Sequence, residues 1–290
     1  MDIRSGEVAV ITGAAEGIGR ALAIRAHAAG MKLVLADIDG PRLAETADAL
    51  TQQGADVLAL RTDVAVAAEV DALADAAFAR FGAVHLLVNN AGVAVAKSAW
   101  ETSLADWDWV LGVNLYGVIH GLRAFVPRML EGGHPGHIVN VASIAGLISA
   151  PSMAAYNVSK HGVVTLSEGL HHDLRLRGAA LGVSVLCPAW VRTRIAESER
   201  NRDAPDRTCV ADQGPIAGQA AQMVAKAVAS GMDPAQLADI VFASIEANRF
   251  YILTHPETRA VVRARLDDIL EDRLPTAPAM GFGKTRDRAP

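Results

Sequence analysis

Cysteine is scarce: Cys187 and Cys209 are the two in 290 residues. Two thiols do not make a disulfide framework, so a reduced cytoplasmic setting is expected. An excess of positive charge is missing too. The net charge is −5 and the pI about 6.0, which leaves no basic field to attract nucleic acid or an anionic membrane surface. No uncharged apolar run reaches the roughly 18 residues of a membrane span. The opening MDIRSGEVAVITG has one arginine and no long apolar segment, so it does not read as a signal peptide. Internal repeats are absent. What the chain does have is apolar content, 51% against 20% charged residues. That suffices for a sizeable core, and the length fits one large α/β domain or two small ones.

Short runs rich in Val, Ile and Leu punctuate the chain: 8–12, 32–37, 56–64, 84–92, 136–143, 182–190 and 249–254. Most are continuously apolar, as strands of a parallel sheet are when helices cover both faces. Helix-like patterns lie between them, at 17–29, 41–53, 66–81, 103–130, 156–176 and 234–247, and several end at a glycine. Alternation of this kind predicts a single Rossmann-like, doubly wound, mostly parallel sheet of seven strands over 1–270. Residues 192–233 break the rhythm. They begin polar, turn Ala- and Gln-rich, and contain no strand, which reads as a structureless substrate lid. Residues 271–290 read as a surface tail.

The first strand runs into TGAAEGIGR, with Gly13, Gly17 and Gly19 between strand and helix. Such a turn lets backbone N–H groups and a helix N-terminus approach a phosphate. Its spacing is not G-x-G-x-x-G. Asp37 closes the second strand 18 positions past Gly19, where a carboxylate accepts from an adenosine ribose. Later, AAYNVSKHG places Tyr156 and Lys160 four apart, on one face of a helix. A phenol is a poor base at neutral pH, and a neighbouring ammonium lowers its pKa. About three units of lowering corresponds to roughly 4 kcal/mol, attainable in a partly desolvated cleft.

TGAAEGIG, NNAG (89–92), Asn114, Ser143 and YNVSK (156–160), in this order and with 13 positions from Ser143 to Tyr156, resemble the motif set of the short-chain dehydrogenase/reductase family over about residues 5–255. The resemblance implies an oxidoreductase that passes a hydride between a nicotinamide cofactor and a ketone or secondary alcohol. It implies Tyr156 as general acid/base, Lys160 beside it on the nicotinamide ribose, and Ser143 on the substrate oxygen. Asn114 would hold a water that connects Lys160 to solvent. For the cofactor it implies Gly13, Glu16, Gly17, Ile18 and Gly19 around the pyrophosphate, and Asp37 and Ile38 at the ribose. Asp63 and Val64 would meet the adenine, and Asn90, Ala91 and Gly92 would support the adenosine side. Pro188, Ala189, Val191 and Thr193 would lie at the nicotinamide, with Ala189 standing where the family usually has glycine. A homotetramer is also implied.

Leu147, Trp190 and Ile195 are expected to give the substrate pocket an apolar wall beside Ser143 and Tyr156, which favours a hydrophobic, bulky aryl or alkyl ketone. A 3-oxoacyl-thioester reductase and a hydroxysteroid-type dehydrogenase remain alternatives. The basic patch a carrier protein would need is weak, since Arg192, Arg194, Arg200 and Arg202 alternate with Glu197, Glu199 and Asp203. NAD(H) is expected over NADP(H), because Asp37 and Glu16 would both repel a 2′-phosphate. No metal is expected: His134, His137, His171 and His172 have no carboxylate or cysteine at ligand spacing. Trp100, Trp107 and Trp109 read as core or interface packing.

Overall fold

The computed structural model describes residues 5–202 and 214–278. These build a seven-stranded sheet in the order β3-β2-β1-β4-β5-β6-β7, from β1 (Val8–Thr12), β2 (Lys32–Asp37), β3 (Val57–Arg61), β4 (Leu86–Asn89), β5 (Gly136–Val141), β6 (Leu181–Leu186) and β7 (Tyr251–Ile252). Every pairing is parallel, with β1 flanked by β2 (Val10 opposite Val34) and β4 (Val10 opposite Leu87).

Alternate side chains of each strand enter opposite layers, the period of two that a strand imposes. Ala9, Ile11, Leu33 and Leu35 face one layer, with Leu22 of α1 (Gly17–Ala28), Leu43 of α2 (Gly40–Gln52) and Phe242 of α8 (Pro234–Glu246). Val8, Val10, Val34 and Ala36 face the other. There they meet Leu73 of α3 (Ala67–Phe81), Phe125 of α5 (Gly117–Gly132) and Leu174 of α6 (Ala154–Leu176). Two buried faces explain why the strands read as unbroken apolar runs.

The helix expected over 103–130 is two helices and a wider turn. Ser103 caps α4 (Leu104–Leu111) in a reciprocal capping box with Asp106, and a π-helical turn, Gly112–Tyr116, joins α4 to α5. By length and composition the stretch Leu104–Gly132 would suffice to cross a membrane. In this fold Val118, Phe125 and Met129 are buried in the core.

Two expectations are corrected. Residues 192–233 are not structureless: a 3-10 segment, Ile195–Asn201, and a helix, α7 (Gly214–Ala229), occupy much of the stretch, and Val191 bridges to Met232. Its Ala- and Gln-rich half is a helix-forming composition. A further helix, α9 (Thr258–Leu270), follows β7 where no element was expected. Residues 203–213 of the expected lid, with Cys209, and the tail beyond 278 lie outside the described residues.

Candidate active site

Strand order reverses between β1 and β4, and a crevice at the carboxyl edge of an open sheet forms at such a point. A cavity of about 650 Å³ lies there. It runs from Asp37 and Ile38 past Gly13, Gly17 and Ile18 to Ser143, Tyr156 and Lys160, and on to Trp109, Trp190 and Val224. Glu16, Asp63, Val64, Asn90, Ala91, Gly92, Pro188, Ala189, Val191, Thr193 and Ile195 also line it.

The glycine turn is built for close approach. Gly13 and Gly17 have φ of +65° and +56°, a region that side chains rarely enter. A Cβ on Gly13 would lie 2.8 Å from Asn90 Nδ2. Asn90 Nδ2 donates to Thr12 O at 2.8 Å and to Gly13 O at 3.1 Å, so its amide braces the turn from behind. Gly19 does not face the cavity; its Cβ would lie 2.0 Å from Gly13 O, so it serves helix-to-turn packing. At the N-terminus of α1, Glu16 makes no side-chain cap and the first turn holds no acid. Uncapped N–H groups with Gly17 and Ile18 on the cavity wall fit a dinucleotide pyrophosphate.

Asp37 Oδ2 accepts from Ala15 N at 2.9 Å and Oδ1 from Asp39 N at 3.0 Å. Burial nonetheless keeps its pKa above the usual carboxylate value. Asp63 Oδ1 accepts from Ala65 N at 2.9 Å. Glu16, expected to repel a 2′-phosphate, is paired in the fold with three guanidiniums. Arg42 Nη1 donates to it at 2.6 Å, Arg194 Nη1 at 3.5 Å, and Arg200 also pairs with it. The guanidiniums come from α2 and from the segment over the cavity, and tertiary folding alone brings them together.

At the other end, Ser143 follows β5 and Tyr156 opens α6. The Ser143 hydroxyl accepts from Ala145 N at 3.2 Å and donates to Pro188 O at 3.4 Å. Lys160 is 2% exposed; its Nζ donates to Val141 O at 2.9 Å and lies 5.7 Å from the Tyr156 ring centroid. The phenol pKa is not lowered in the chain by itself. Burial pushes it above the usual value, and the hydrogen bond with Ser143 opposes the rise. Burial also brings Lys160 down to about 8. Desolvation outweighs the Ser143 hydrogen bond at the phenol and the nearby Cys187 at the ammonium.

Asn114 is built into the interior near Lys160: both Asn114 Oδ1 and Lys160 Nζ would lie within 3.5 Å of a Cβ on Gly92. The Asn114 side chain is fully buried in the π-helical turn, outside the cavity wall. Oδ1 accepts from Val93 N at 2.8 Å, while Nδ2 donates to Val93 O at 2.9 Å and Ser159 Oγ at 3.0 Å. Both amide hydrogens are committed, so the side chain ties the segment after β4 to α6. Leu147 is displaced. It packs with Val118 and Val163 behind the site, and Ile144, Ile148 and Met153 line the cavity.

Residues 7–204 match the short chain dehydrogenase family. The chain belongs to that family. It is 50% identical to a short chain dehydrogenase/reductase of Burkholderia phymatum whose crystal structure is a complex with NAD, with a TM-score of 0.92 over 96% of this chain and 99% of that one. It is 36% identical to the CLA biosynthesis dehydrogenase/reductase of Lactiplantibacillus plantarum, covering 94% of this chain and 96% of the relative. Identity is also 36% to the 1-deoxy-11-beta-hydroxypentalenate dehydrogenase of Streptomyces exfoliatus, over 90% and 87% of the two chains.

Within this short chain dehydrogenase, several cavity residues had not been assigned to the site from sequence. Trp109 lies on the wall with the Arg202 guanidinium 4.9 Å from its ring centroid. Val224 and Val228 of α7 pack with Met153, Tyr156, Trp190 and Ile195. Their apolar spacing on a helix was the available clue, and reading 192–233 as a loop concealed it.

Proposed function

We propose that this enzyme is an NAD(H)-dependent dehydrogenase/reductase of hydrophobic secondary alcohols and ketones. One observation carries the substrate class. Beyond Ser143 and Tyr156 the cavity is walled by Ile144, Ile148, Met153, Trp109, Trp190, Ile195, Val224 and Val228. Such a wall favours alkyl or aryl groups. Asp108, Ser198, Asn201 and Arg202 also line the cavity, and of these Ser198 and Arg202 are already bonded to Ile195 O and Asp106.

Thr193 and Pro188, on the cavity wall, would hold a nicotinamide, and its chemistry would be to supply or take the hydride. The chain's residues handle the proton. Ser143 orients the substrate oxygen toward Tyr156. In reduction the phenol gives its proton to that oxygen, and its raised pKa keeps the acid form available at neutral pH. In oxidation the phenolate must form, which the Lys160 ammonium and a cationic nicotinamide favour. Lys160, brought down to about 8, is itself able to exchange a proton near neutral pH.

Asp37 supports the cofactor choice. It is fixed by two backbone N–H groups at the adenosine end of the cavity. A ribose diol donates to it, whereas a 2′-phosphate brings like charge. After discounting for solvent, the preference for NADH is about 1–3 kcal/mol, or roughly 10–100-fold. The test is kcat/KM at 340 nm for a panel of alkyl and aryl ketones, polyols and keto acids with each cofactor. Aryl or alkyl ketones with NADH should be best, and Asp37→Ala should narrow the cofactor gap. Polyols as best substrates, or equal use of NADPH, would overturn the corresponding half of the reading.

A further inference from the structure

We infer that Glu16 controls cofactor selectivity by withholding Arg42 from the adenosine end of the cleft, and not by repelling a phosphate itself. The inference rests on the NAD(H) reading above. Glu16 lines the cavity between Gly17 and the Asp37–Asp39 corner. Direct repulsion from it is weak, because Arg42, Arg194 and Arg200 all pair with its carboxylate. Those three cations offset Glu16, Asp39 and Glu197, which leaves Asp37 as the carboxylate fixed at the ribose end.

Two cations stand near that end: Arg61 on the cavity wall, paired with Glu69 at 3.3 Å, and Arg42, whose partner Glu16 is itself on the wall and whose release is therefore the one Glu16 governs. Arg42 stands in the first turn of α2, just after the Asp37–Asp39 corner. Its Nη1 donates to Glu16 Oε2 at 2.6 Å, and its Nε lies 3.3 Å from Asp39 Oδ2. Arginine is the side chain best suited to a phosphate, through its planar fork of donors. To meet a 2′-phosphate, Arg42 must first give up its short bond to Glu16. The phosphate gains one charge-assisted contact and breaks another, so it gains little. Neutralising Glu16 removes the competitor and leaves Arg42 with Asp39. On this account the cation that a phosphorylated ribose needs stands just outside the cleft wall, held there by Glu16 and Asp39, which are on it.

The test measures dissociation constants for NAD and NADP by calorimetry, together with kcat/KM for NADH and NADPH, in wild type, Glu16→Gln, Arg42→Gln and the double variant. Gln keeps the shape of Glu16 and loses its charge. Glu16→Gln releases Arg194 and Arg200 as well, and the double variant separates their effect from that of Arg42. Glu16→Gln should shift the ratio of affinities toward NADP by about fivefold, the effect of one partly exposed ion pair at the upper end of its range. The double variant should lose that gain, and Arg42→Gln alone should leave the ratio within about twofold of wild type. An unchanged ratio in Glu16→Gln, or a gain that persists without Arg42, would overturn the inference. A wild type that binds NADP more tightly than NAD would instead defeat the NAD(H) reading, so the two failures are distinguishable.

Discussion

Replacing Asp106 by Asn tests what holds the substrate end of the cavity in shape. Asp106 is 1% exposed. Its carboxylate accepts from Lys97 Nζ at 2.7 Å, Arg202 Nη1 at 2.7 Å and Ser103 N at 3.1 Å. These partners come from the stretch after β4, the cap of α4 and the end of the 195–201 segment. Arg202 stacks on Trp109, so the carboxylate fixes part of the cavity wall. Burial by itself would raise the Asp106 pKa; the bonds from Lys97, Arg202 and Ser103 overcome that and bring it down to about 2. The folded value lies below the ordinary 3.8, so this stabilisation is present above pH 4 and is lost as pH falls through about 2. It amounts to roughly 2 kcal/mol. Asn costs more than protonation measured this way, because Lys97 and Arg202 stay largely buried beside a neutral amide. Breaking a buried pair from one side costs about 3–5 kcal/mol. Glu199, 3.6 Å from Arg202, retains part of the compensation, so about 3 kcal/mol is expected. In urea at pH 7 that lowers the midpoint by about 1 M. The KM for a bulky ketone should rise with it. A loss below about 1 kcal/mol would refute the reasoning, since it would mean that the cluster is solvated as a surface pair is.

Tyr156→Phe should lower kcat by about 10²–10⁴-fold with cofactor affinity nearly intact; more than a tenth of wild-type turnover, in a chemistry-limited assay, would remove the general acid/base role. Lys160 is buried with a pKa brought down to about 8 from 10.5. The unfolded chain therefore binds the extra proton between these values, and folding stability rises with pH across the window. Relative to Lys160→Met, wild type should gain roughly 3 kcal/mol between pH 7 and pH 11, read by chemical denaturation; a constant difference would show that the ammonium is well solvated. Ile148→Ala should raise the KM of bulky ketones, whereas Leu147→Ala should cost about 1–3 kcal/mol of stability and leave that KM near wild type. The reverse pattern would exchange their places at the site.

The order of strands and helices was legible because it rests on local periodicity: continuous apolar runs for strands buried on two faces, and a helical repeat with glycine ends between them. The glycine turn, Asp37, Ser143, Tyr156 and Lys160 were legible for a related reason. Each sits at the end of a strand or on one turn of a helix, where spacing along the chain fixes direction in space. Other properties depend on what packs where. Only the fold could show that Glu16 is surrounded by Arg42, Arg194 and Arg200, since those partners are 26, 178 and 184 positions away. The same holds for Asn114, whose amide is spent on Val93 and Ser159, and for Asp106, held between Lys97 and Arg202. The choice of Ile148 over Leu147 turns on which side of a short turn faces the cavity. The phenol pKa is of this kind as well. Four positions along a helix bring an ammonium near a tyrosine, but how much water each group loses is decided by the residues that fold over them.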